Sequence, residues 1–186
     1  MKRRAIFSAL AVLCAWMILP SQAHAMGKGR TKCSFRADYE AQEKNRLFLK
    51  RDVSAAMAGV PTDESGTRND DLAGQDLTVT VNGTDIPCGT IGENGRINTE
   101  TVKVRLTANG NILHVDLRGL DLVTLFPLDP AQADGKDYQV DVTIEIKVVV
   151  PSSDPSVTNP PTVLFSGVVT FFYRQKANAH SSGKNF

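Results

Sequence analysis

The stretch YQVDVTIEIKVVV, Tyr138 to Val150, decides the fold. Tyr138, Val140, Val142, Ile144, Ile146, Val148 and Val150 are apolar at every even position. Gln139, Asp141, Thr143, Glu145 and Lys147 fill the odd ones, with Val149 the single break. Side chains alternate sides on a pleated strand, so the pattern predicts a long β-strand with one buried and one solvated face. One-sided alternation belongs to antiparallel sheets, because parallel sheets are covered on both faces.

The neighbouring segments repeat this period. Thr162 to Arg174, TVLFSGVVTFFYR, places Val163, Phe165, Val169, Phe171 and Tyr173 on one face. Leu164, Val168 and Phe172 fall on the other. With both faces apolar, the strand is either covered twice or touches a partner, and Leu164, Val168 and Phe172 are the expected contact face. Pro151 to Pro161 carries four prolines and cannot pair as a central strand. Upstream, Val102, Val104 and Leu106 answer Leu113, Val115 and Leu117 across the turn Ala108-Asn109-Gly110-Asn111, which predicts a hairpin. A first strand is expected over Cys33 to Tyr39, a second from Leu47 and Leu49, and further ones at Leu77 to Val81 and from Ile86. Asn82-Gly83 marks the turn between the last two. Ala55 to Gly59 and Gly119 to Phe126 suit a helical turn and a strand equally. Gly59 to Asp76 reads as a long loop.

Roughly eight or nine strands with regular turns and little helix describe an all-β protein. The expected architecture is an antiparallel β-sandwich, immunoglobulin-like in general shape, with a small β-barrel as the alternative.

The N-terminus reads as an export signal: Lys2, Arg3 and Arg4, an apolar run from Ala5 to Leu19, then Ala23-His24-Ala25 as a small-x-small cleavage site. The apolar run is short for a membrane anchor. Residues 1–25 are therefore expected to be cleaved on export through the Sec pathway, to the periplasm or outside the cell. A mobile lead-in (26–32), a single domain (33–174) and a polar, frayed tail (175–186) are expected to follow. Cleavage removes three basic and no acidic residues, so the formal net charge moves from +1 to −2. That balance gives no sign of nucleic-acid binding. Cys33 and Cys88 remain, and an exported pair predicts a disulfide, which would stabilise by about 4 kcal/mol in the chain-entropy model.

No catalytic constellation is visible. HExxH, G-x-S-x-G and a phosphate-binding loop are absent, and His114 and His180 are the only histidines after the leader. Asp141 and Glu145 share one strand face but stand about 13 Å apart, beyond the roughly 5–9.5 Å of glycosidase carboxyl pairs. Calcium is the one cofactor for which ligands are on offer: Asp129, Asp134 and Asp137, and also Asn69, Asp70, Asp71 and Asp76. Asp, Asn and Gly are equally the common turn residues.

The expectation is an exported, non-enzymatic binding or structural module of the cell envelope or exterior, meeting a protein or glycan partner, or itself, without stable membrane insertion. The alternative is a carbohydrate-binding module, calcium-assisted or not, for which Phe48 and Phe172 are the candidate aromatic platforms.

Overall fold

The computed structural model describes residues 32–58, 60, 71–126, 128, 136–154, 156 and 158–174, and the backbone of 178–184. The described residues form ten strands: β1 (Lys32–Asp38), β2 (Arg46–Asp52), β3 (Asp76–Val81), β4 (Thr84–Thr90) and β5 (Arg96–Asn98) come first. After them come β6 (Val102–Leu106), β7 (Ile112–Arg118), β8 (Asp137–Val149), β9 (Thr162–Arg174) and β10 (Asn178–Lys184). Single-turn helices α1 (Ser54–Met57) and α2 (Leu122–Leu125) settle the two ambiguous stretches.

Every pairing is antiparallel, in the order β4-β3-β8-β9-β10-β1-β2-β7-β6-β5. The two ends of this ladder, β4 and β5, are consecutive in the chain. Laid flat, nine strand spacings of about 4.8 Å would hold them roughly 43 Å apart. The five residues 91–95 between them give six steps from Thr90 to Arg96, which reach at most about 22 Å. The ladder must therefore curl until its edges approach. It packs as two antiparallel layers, β4-β3-β8-β9 facing β1-β2-β7-β6-β5, and β10 hydrogen-bonds to both β9 and β1. Since β4 and β5 do not pair, the sheet does not close into a barrel.

The inner face holds one apolar core. Val142, Ile144, Ile146 and Val148 of β8 meet Leu77, Val79 and Val81 of β3, with Leu47, Leu49, Val115 and Leu117 from the opposite layer, all essentially inaccessible. The helix α2 drives Leu122 and Phe126 inward. Phe126, Phe35 of β1 and Phe171 of β9 then form an aromatic triangle with centroids 4.7 to 5.3 Å apart. The expected hairpin is present, with Val102 opposite Leu117, Val104 opposite Val115 and Leu106 opposite Leu113. Asn82 and Gly83 take φ of 47° and 82°, the pair of positive values that a tight hairpin turn needs.

Two expectations change. The polar tail pairs rather than frays: Asn178–Lys184 forms β10, whose backbone satisfies β9 on one side and β1 on the other. Ladder hydrogen bonds need only main chain, so polar side chains gave no warning. Leu164 also moves. The register of β8 and β9 shifts at Ile146/Lys147, where Lys147 faces Val163 and Ile146 faces Phe165, so Leu164 is an extra residue. A bulge breaks the alternation, and Leu164 turns into the core (4% exposed) while Val163 turns out (45%).

One core side chain breaks the apolar rule. Arg51, inward on β2, is 1% exposed, and none of its three guanidinium nitrogens has a hydrogen-bond partner among the described residues. Its guanidinium lies 4.1 Å from the centroid of the Phe165 ring. Burial pushes its pKa down, against a smaller upward pull from Cys33. A desolvated cation–π contact supplies about 2 kcal/mol, less than the several kcal/mol of burying an ion. Arg51→Met, which keeps the aliphatic stem, is expected to raise stability by about 1 kcal/mol or more in urea unfolding. A fall would show that the charge has a stabilising partner.

Candidate functional site

The outward positions of β1, β2, β7, β6 and β5 are predominantly cationic. Lys32 and Arg36 project from β1, Arg46 and Lys50 from β2, Arg118 from β7, Lys103 and Arg105 from β6, and Arg96 from β5. Cross-strand register sets them side by side: Arg36 opposite Arg46, Arg46 opposite Arg118, Lys32 opposite Lys50, Arg96 opposite Arg105. Only Asp38, Asp52 and Asp116 oppose them at the outward positions of these strands. The other layer is reversed. Asp76, Asp85, Asp137, Asp141 and Glu145 outnumber Lys147 and Arg174 on β3, β4, β8 and β9. Opposite signs on opposite faces cancel in the net charge.

A depression of about 640 Å³ opens on the cationic face. Lys32, Ser34 and Arg36 line it from β1, Arg46 and Phe48 from β2, Glu43 and Lys44 from the intervening 3-10 turn, with Arg118 of β7. The turn is anchored from below by buried Asn45. Its Oδ1 accepts from Asp38 N–H at 2.6 Å, its Nδ2 donates to Leu120 O at 2.8 Å, and its carbonyl accepts from Gly119 N–H at 3.0 Å. Asp38 Oδ1 in turn accepts from the N–H groups of Glu40 and Ala41. The rim bearing Glu43 and Lys44 is thereby tied to both β1 and β7.

Arg46 is fixed. It donates through Nε and Nη2 to the two oxygens of Asp116 at 2.6 and 2.8 Å, a fork that raises its own pKa further, and Arg118 adds a longer contact at 3.4 Å. Its guanidinium also stands 5.9 Å from the Phe48 ring centroid, and His114 meets that ring edge-on at 6.3 Å. Phe48 is thus a half-buried plate held between a cation and an imidazole. Burial first, then Lys50 and Arg105, hold the His114 pKa below its ordinary value. Lys32, Arg36 and Lys44 have no side-chain hydrogen bond or ion pair within the described residues, which leaves their charge for a ligand.

Cys33 and Cys88 are separate buried thiols, and the expected disulfide is not formed. In the ladder β3, β8, β9 and β10 separate their strands, and Cys88 is the extra residue where the β3–β4 register shifts. Burial pushes Cys88 up to about 11, and raises Cys33 against the counter-pull of Arg51. Both stay protonated at neutral pH and are poor nucleophiles. Of the expected calcium ligands, Asp129, Asp134, Asn69 and Asp70 lie outside the described residues, while Asp137 is exposed at the start of β8. Among the described residues no group of three His, Cys, Asp or Glu is placed to hold a metal, and no helix is long and apolar enough to cross a membrane. His180, whose side chain is not described, stands opposite Arg36 in the β1–β10 pairing.

Of the expected contact face, Val168 (59% exposed) and Phe172 (40%) project from β9 beside Thr143 and Gln139, and Leu164 does not join them. No protein-family model, curated protein or solved structure matches the chain.

With both thiols buried and protonated, residues 26–186 should resist a thiol-reactive disulfide reagent at pH 8 while folded. Two thiols per chain should react in denaturant. Zero in denaturant would restore the disulfide.

Proposed function

We propose that this chain is an exported, non-enzymatic β-sandwich of immunoglobulin-like general shape. It acts in the cell envelope or outside the cell by holding an anionic macromolecule on the cationic face of β1-β2-β7-β6-β5. One observation carries the reading: eight cations share that face, and two of them, Lys32 and Arg36, together with Lys44 of the turn beside them, are unpaired among the described residues around its depression. Repulsion among like charges in cross-strand register is destabilising. An arrangement that folding alone disfavours is explained by a ligand of opposite sign, whose approach such a field also accelerates. The buried thiols and the solvated spacing of Asp141 and Glu145 are in keeping with binding rather than catalysis. Val168 and Phe172, on the far layer, are left as a small apolar surface that this reading does not use.

A sulfonate-bearing matrix tests it, because residues 26–186 carry a formal charge of −2 and net charge alone predicts no retention. The protein should bind at pH 7 in low salt and elute as salt screens the surface, within about 0.15 M, where the Debye length is about 8 Å. Arg36→Glu with Arg105→Glu should flow through. Lys147→Glu with Arg174→Glu, the same charge change on the other layer, should still be retained. Passage of the parent protein, or equal loss in both double variants, would overturn the proposal.

A further inference from the structure

We propose that the depression around Phe48 is a subsite for an anionic sugar unit, so that the polymer held by this face is an acidic polysaccharide. The inference rests on the reading of the cationic face and adds the class of ligand.

Size comes first. About 640 Å³ falls within the roughly 300–1,000 Å³ of sites that enclose small ligands. A flat phosphate lattice needs no such concavity. The lining then discriminates. Phe48 offers a ring pinned by Arg46 and His114, and a pyranose can lay its C–H face on such a plate. Arg36, Lys32 and Lys44 surround the ring with unpaired charge for a carboxylate or sulfate ester. Glu43 stands among these cations. A carboxylate repels every anion, but it also accepts hydrogen bonds from the hydroxyls that a glycan carries and a polyphosphate lacks. The hydroxyl of Ser34 can donate as well as accept. Cation, acceptor, hydroxyl and aromatic plate in one hollow match a ligand that is both acidic and hydroxyl-rich.

The competing partners fit less well. An anionic membrane surface is met by apolar side chains that insert into it, and Phe48 lies half-buried in a hollow rather than on a protrusion. Single-stranded nucleic acid calls for a series of stacking aromatics along a basic groove, and among the described residues Phe48 is the single aromatic of this lining that faces outward.

Calorimetric titration of residues 26–186 with four polymers tests the proposal: polygalacturonate, dextran sulfate, unsubstituted dextran and inorganic polyphosphate. At equal charge concentration, one or both acidic glycans should bind at least tenfold more tightly than polyphosphate, and neutral dextran should bind at least tenfold more weakly than they do. Preference for the uronate or for the sulfate identifies the acid, and either supports the subsite. Phe48→Leu, which retains packing, should weaken glycan binding about tenfold and leave polyphosphate unchanged. Glu43→Gln, on an exposed turn remote from the core, should weaken the glycan and tighten polyphosphate. If polyphosphate equals the glycans and neither variant discriminates, the sugar subsite is wrong while the polyanion-binding face stands. If none of the charged polymers binds, both fall.

Discussion

The fold depends on one covalent constraint, the short link from β4 to β5. These strands end the hydrogen-bonded ladder, yet residues 91–95 are all that separates them in sequence. The sheet therefore cannot lie flat. Curling it turns the inner positions of all the layered strands into one enclosed volume, which the alternating Val, Ile, Leu and Phe residues fill. Burial of that surface, at about 25 cal/mol per Å², is the main favourable term. The link requires the sheet to bend, and the apolar face of its strands decides which way.

Curling also sorts charge. Once one face of every strand is committed to the core, the outward residues of each half become a separate surface. Arg46, Lys50, Lys103, Arg105 and Arg118 are distant in sequence but adjacent across β2, β7 and β6. Asp116 is the counterweight that makes their proximity tolerable: it is nearly buried beneath Arg46 and Arg118, and it fixes the guanidinium that steadies Phe48. Asn45 does the same for the rim through its bonds to Asp38, Gly119 and Leu120. The hollow is therefore held rigidly on one side and furnished with unpaired cations on the other.

Much of the fold was legible because alternation is a local signal. Val102 to Leu117, the Asn82-Gly83 turn and the boundaries of Thr162 to Arg174 all follow from it. What escaped was set by tertiary pairing. The bulge that inverts Leu164 depends on register with Ile146 and Lys147, which no single strand reveals. Asn178 to Lys184 became a strand because β9 and β1 each had a main-chain edge to satisfy. Cys33 and Cys88 suggested a bond that the strand order does not make. The site was half visible. Phe48 stood out as an outward aromatic, and Lys32, Arg36, Arg46 and Lys50 could have been read from the same alternation. A net charge near zero concealed them, since sign segregation between layers needs the sheet order.

Amide hydrogen exchange of residues 26–186, with and without polygalacturonate, reports which layer meets the ligand. Binding on the cationic layer should slow exchange in peptides covering Lys32–Asp52 and Val102–Arg118 and leave β8 and β9 unchanged. Slowing confined to β8 and β9, or none at saturating polymer, would contradict it.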